Sequence, residues 1–189
     1  IPPGGQFSMN AILGKRTPDK GYVKAGIISG GRAASAYGGG ISQVSTTIFN
    51  AAFFSGMELD AWTPHYYYIS RYPEGREATI SWPDLHNKFT NTTDGGVRME
   101  VIATNSSITV NFWGTKKYDV TATKSDRFDI VQPRRFTYDS PDCLDQSPVP
   151  GFKVTVGRII KEKGKVVKTE KFTTNYRPED DVTCTNPRP

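Results

Sequence analysis

Hydrophobic positions along this chain follow two rhythms, and the change falls near residue 57. From Ile41 to Met57 no residue is charged, and Val44, Ile48, Ala51, Ala52 and Ser55 recur at i, i+4, i+7, i+8 and i+11. That spacing returns to one side of a 3.6-residue helix. Phe49 and Phe53 stand four apart beside the stripe, so the helix predicted over Ser42–Ser55 buries much of its surface. Gly56 follows as a stop, because glycine takes the left-handed conformation that ends many helices.

Beyond the helix, alternation takes over. MELDAWTPHYYYISRYP is aromatic-rich and alternating, and EATISW puts Ala78, Ile80 and Trp82 on one face. Both read as strands. Residues 86–125 read as a meander with turns at Asp94-Gly95-Gly96, Asn105-Ser106 and Gly114. After Phe128, alternation on both sides of KEKGK predicts a hairpin. Ahead of the helix, residues 1–40 are rich in Gly and Pro, with short strands near Tyr22-Val23 and in GIISGG. The expected architecture is α+β. One central buried helix packs on a mixed or antiparallel sheet within residues 1–120, and a smaller all-β extension covers 121–189.

Composition narrows the class. Hydrophobic residues make up 36%, aromatic residues 12% and charged residues 23%, which suits a packed chain rather than a disordered one. No apolar run reaches the length of a membrane helix. The opening IPPGGQFSMN lacks an initiator Met, which suggests a piece of a longer protein with any anchor upstream. The net charge is +5. Its carriers include Arg134, Arg135, Arg158, Lys161, Lys163, Lys165, Lys168 and Lys171, which read as a solvated hairpin surface. No nucleic-acid motif accompanies them, so no nucleic-acid partner is expected. The sequons at Asn91 and Asn105 read as turn chemistry rather than glycosylation. Two cysteines, Cys143 and Cys184, are too few for a zinc site, which needs about four ligands. They predict one disulfide and hence an oxidising, extracytoplasmic compartment. No metal or cofactor is expected.

The chemistry concentrates where Gly38-Gly39-Gly40 runs into the helix. Glycines let another group approach the backbone closely, and a helix N-terminus presents unpaired N–H groups with a positive dipole end. Ser42 at that junction has two readings. It is an N-cap, the preferred role of serine there, or a nucleophile beside oxyanion-stabilising donors. A hydroxyl nucleophile needs a general base. Of two histidines, His65 in WTPHYYY is the better candidate and His86 in DLHNKF the weaker, with Glu77 or Asp84 to orient the ring.

These residues carry a resemblance. GGGISQVSTTIFNAAFFSGMEL followed by HYYYISRYPEGREATISWPDLHNKFTN, with the lead-in PPGGQFSMNAILGKRTPDKGYVKAGII, resembles the VanW domain over roughly residues 1–115. The glycine triplet, Gln43, Ser45-Thr46-Thr47, Asn50, His65 and the G-x-x-A-T segment occur in the family's order. The resemblance implies a cell-envelope protein of the kind found in Gram-positive vancomycin-resistance clusters. Some members look like peptidoglycan L,D-transpeptidases in which a cysteine follows GGGI and forms a thioacyl intermediate. Here that position is Ser42, and Glu77 stands where many relatives have Asp. A natural serine and one put in place of a cysteine both fit the sequence.

The implied catalytic set is Ser42, His65 and Glu77. The implied substrate-binding set is Gly39, Gly40, Gln43, Thr46, Thr47, Arg71 and Arg76, and the implied partner is a peptidoglycan stem peptide. Three roles follow: a wall-peptide binding domain on a transpeptidase-like site, an active acyl transferase, or a scaffold without a small ligand.

Overall fold

Gln6–Ser8 (β1) runs directly into Met9–Leu13 (α1), where Ser8 Oγ accepts from Ala11 N across the first turn. After a 3₁₀ turn at Pro18–Lys20, Lys24–Ser29 (β2) and Arg32–Tyr37 (β3) pair antiparallel. The structure is a computed structural model and describes residues 1–29 and 32–186. The glycine pair Gly30 and Gly31, expected to punctuate the apolar strand, lies outside the described residues.

The helix α2 spans Ile41–Phe54. Its end is as expected. Gly56 sits at φ 74°, Gly56 N donates to Phe53 O and Met57 N donates to Ala52 O, the paired bonds of a left-handed glycine stop. The wholly buried positions are Ser45, Thr46, Ile48, Phe49, Ala52 and Phe53, so the buried arc is wider than the expected stripe. Ile48 and Ala52 belong to one core with Phe7, Met9, Met57, Ile80 and Phe89. Phe49 and Phe53 belong to a second, with Ala78 and Val156. The helix lies between two cores, which accounts for its lack of charge. Each large side chain so buried contributes about 1.5–3 kcal/mol.

Apart from the twelve-residue strands of one long hairpin, the strands are short and dispersed. Glu58–Ala61 (β4) and Lys88–Thr90 (β5) complete a three-stranded sheet with β1 in the order β1-β5-β4. Arg98–Ala103 (β6) and Ile108–Trp113 (β7) form a hairpin about Asn105-Ser106, as expected. Tyr118–Lys124 (β8) and Phe128–Val131 (β9) both pair with Gly151–Glu162 (β11), whose other edge takes Lys165–Tyr176 (β12). The turn between β11 and β12 has Lys163 at φ 48° and Gly164 at φ 80°. Two left-handed residues match the twist of a tight hairpin. Arg135–Tyr138 (β10) runs parallel to Asp181–Cys184 (β13). There Cys143 and Cys184 form the expected disulfide, with Cα atoms 5.7 Å apart. The division drawn at residue 120 falls within β8, which binds β11 along its length.

The α+β expectation is overturned. Strand makes up 43% and helix 12%, and the protein is mostly β. The alternating stretches are broken by Gly, Pro and Asn-Thr turns into five separate sheets of two to four strands among the described residues. The helix does not rest on any one of them. α2 instead meets β4, β7 and β8, each from a different sheet.

A second correction concerns Arg158. It does not join the solvated basic surface with Arg134, Arg135, Lys163, Lys165 and Lys171, which are exposed. Its side chain is wholly buried, and Nη1 donates to Phe53 O at 3.3 Å and Met57 O at 3.0 Å. Nε donates to Glu170 Oε2 at 2.7 Å. A cation on Phe53 O, in the last turn of α2, and on Met57 O just beyond it answers the negative end of the helix dipole.

Candidate functional site

Residues 76–80 are extended but belong to no sheet. The alternation in EATISW is real, since Ala78 and Ile80 are buried, but Trp82 leaves that face and is 45% exposed. Thr79 N donates to Thr63 O at 2.7 Å and Arg76 N to Pro73 O at 3.0 Å, and three further bonds join this segment to side chains of α2. Asn50 Nδ2 donates to Arg76 O at 2.9 Å, Ala78 N to Thr46 Oγ1 at 3.2 Å, and Ile80 N to Ser42 Oγ at 3.4 Å. Four helical residues advance about 6 Å, and two extended residues about 6.6 Å. Asn50, Thr46 and Ser42 therefore keep step with residues 76, 78 and 80, and the segment becomes a strap along one helix ridge.

Ser42 is thus not the cap. Gly40 holds the N-cap position at φ 80°, without a side-chain cap bond, and Ser42 lies in the first turn. Gly39 lets the turn press on β2, since a Cβ there would stand 2.2 Å from Ala25 O.

Glu77 lies on the strap between two of its tie points, and its side chain is wholly buried. His65 Nδ1 meets Glu77 Oε2 at 2.5 Å. The Tyr176 hydroxyl donates to Glu77 Oε1 and accepts from Gly75 N at 2.8 Å. A carboxylate accepts at both oxygens, and the tautomer that donates to it from Nδ1 is the one that offers Nε2 as the basic nitrogen. Burial first, and the Glu77 bond second, push the Tyr176 hydroxyl far above its ordinary pKa, so it remains a donor. The His65 ring stacks on Tyr72 with centroids 5.0 Å apart and planes 13° apart. Burial raises the Tyr72 hydroxyl as well. A carboxylate-held, stacked imidazole with 14% of its side chain exposed is the geometry of an oriented general base.

The remaining sequence candidates divide. Thr46 is committed to the strap, and Thr47 Oγ1 donates to Gln43 O at 2.8 Å. Arg76 is held by Asn50 Oδ1 and lies over the Phe53 and Phe54 rings, and burial lowers its pKa. Arg71 is exposed. A cleft of about 430 Å³ beside Tyr72 is lined by Tyr68, Pro73, Glu74, Arg76 and Lys124. In it, burial works against ionisation of Glu74, but hydrogen bonds from Arg127 and Lys124 outweigh burial and hold the carboxyl below its usual range.

Asp84, the other proposed orienter, is exposed. His86 Nδ1 lies 3.3 Å from Asn10 Nδ2, apart from the Glu77 group. Among the described residues no cluster of three or more His, Cys, Asp or Glu is placed to hold a metal, and no helix is long and apolar enough to cross a membrane.

Sequence reasoning missed Tyr176, which stands 99 positions from Glu77. Its one local signal is its place at the end of a strand, opposite Phe152.

A family model described as VanW like protein matches residues 1–113. Uncharacterized protein YoaR of Bacillus subtilis (strain 168) is 40% identical over 89 residues, which are 47% of this chain and 29% of that protein. The match thus spans under a third of that relative's length. No solved structure matches significantly.

Proposed function

Since this chain belongs to the VanW family of cell-envelope proteins, we propose that it is an extracytoplasmic domain that binds a peptidoglycan stem peptide at the start of α2. The observation that carries this reading is the His65 ring held by a wholly buried Glu77. A buried carboxylate is costly unless fully hydrogen-bonded, and here one oxygen meets the imidazole while the other accepts from Tyr176. The disulfide agrees with an oxidising compartment.

Ser42 supports binding over rapid turnover. Its hydroxyl takes the Ile80 amide, and among the described residues no hydrogen bond joins it to His65. A serine hydroxyl without a close base stays protonated. Slow acyl transfer through Ser42, with His65 Nε2 as base, is the second reading, and the intact dyad favours it.

Muropeptide mass spectrometry with tetrapeptide-stem peptidoglycan separates the readings, run on this protein and on Ser42→Cys. The proposal expects stem-peptide binding by both and cross-linked product from the cysteine variant alone. An acyl adduct on Ser42 would establish the transferase. Neither binding nor product from two folded proteins would leave a scaffold.

A further inference from the structure

Arg16 follows α1 and is 8% exposed. Nη1 donates to Asn10 Oδ1 and to Gly14 O, both at 2.7 Å. Nε and Nη2 are buried and make no hydrogen bond among the described residues. Burial is the main influence on the guanidinium and lowers its pKa, with Tyr22 acting the other way. Unmet buried donors on a cation are costly, and native chains carry few of them.

The two unmet nitrogens form one edge of the guanidinium plane. That edge carries two parallel N–H bonds, the fork that meets both oxygens of a carboxylate. The opposite side is fixed. Asn10, which accepts from Nη1, also donates to Ser81 O at 3.1 Å and Leu85 O at 2.9 Å. The same asparagine thus holds the turn that follows the strap.

The glycine turn lies against this arginine. A Cβ on Gly38 would stand 3.0 Å from Arg16 Cβ and Cγ, whereas one on Gly40 would meet open space. Gly40 caps α2, and Ser42 lies in its first turn. The aliphatic stem of Arg16 therefore packs on the glycine turn that leads into the 14-residue helix bearing Ser42.

We propose that Arg16 is a carboxylate-recognition residue. Nε and Nη2 take the two oxygens of the free C-terminal carboxylate of a peptide that lies over the Gly38–Gly40 turn. Both nitrogens are buried, so the carboxylate reaches them only when the chain that covers them moves. The identity of the peptide rests on the stem-peptide reading above; the carboxylate site itself does not.

The Arg16 Nε–H resonance, assigned by its loss in Arg16→Lys, reports the site directly by NMR. The titrants are acetate, inorganic phosphate, a tetrapeptide stem with a free C-terminus, and the same peptide amidated at its C-terminus. Acetate and the free-acid peptide should shift the resonance, and amidation should weaken peptide binding about 10- to 100-fold. In Arg16→Lys that ratio should fall to about twofold or less. If this variant does not fold, the acid-against-amide ratio on the unaltered chain decides alone. Equal affinity for acid and amide peptides would overturn the assignment. So would a response to phosphate at lower concentration than to acetate, which would point to a phosphate-bearing polymer. A response to acetate with no binding of either peptide would keep the carboxylate site and remove the stem-peptide reading.

Discussion

The two ends of α2 are finished in opposite ways. At the C-terminal end Gly56 turns left-handed, Met57 N reaches back to Ala52 O, and the buried Arg158 donates to Phe53 O and Met57 O while Glu170 balances its charge. At the N-terminal end Gly40 brings no side chain to the cap, Ser42 makes one long bond, and Arg16 keeps two donors unmet. One end of the helix is closed by a buried side chain, while at the other the amides of Ile41 and Gln43 turn back to Gly38 O and Gly40 O and no side chain caps the helix. Satisfied groups add stability, whereas unmet donors at the positive end of a dipole favour an anion or a developing oxyanion. The difference separates the part of the helix that holds the fold from the part that can meet a ligand.

Substitutions should reproduce this asymmetry. Arg158→Met takes the side-chain donor from Met57 O and one of two cationic partners from Glu170, which keeps Lys168 at 3.1 Å, and urea unfolding should show a loss of about 3–5 kcal/mol. A loss below about 1 kcal/mol would mean that the closed end is not held by charge. Tyr176→Phe removes the donor from one oxygen of the buried Glu77, and denaturation should register about 1–3 kcal/mol. An unchanged midpoint would show that Glu77 finds another donor. Ser42→Ala gives up a bond of 3.4 Å, and the same measurement should find less than about 1 kcal/mol. A larger loss would make Ser42 a structural residue and weaken the contrast between the ends.

The helix was legible because its apolar residues repeat at helical spacing and its sequence from Ile41 to Met57 carries no charge. Its first residue was not, because a serine after glycines reads as a cap, and only the backbone shows that Gly40 takes that place at φ 80°. The β11–β12 hairpin was legible from KEKGK, where local turn chemistry fixes register. Residues 76–80 misled in a specific way. Alternation reports which side chains are buried, not what the backbone bonds to, and here the partners include Asn50, Thr46 and Ser42 rather than a neighbouring strand. His65 and Glu77 were named from the sequence, and the structure brings them together. Tyr176 and the unmet edge of Arg16 were invisible, because each depends on neighbours distant in the chain. The α+β expectation failed for the same reason: strand content can be read locally, but the width of a sheet depends on which strands find one another.

The strap has a consequence for how this protein can change length. Its tie points advance by two residues while those of the helix advance by four, so the two segments work like the paired scales of a vernier. Deleting one residue from 76–80 would not shorten the strap by a small amount. It would turn every later side chain to the opposite side and exchange the places of the buried acid and its neighbours. Only changes of two residues in the strap matched by four in the helix keep both scales aligned. The segment is short and lacks regular structure, yet it should tolerate insertion no better than the centre of a sheet, and loop grafts meant to reshape the site belong outside it.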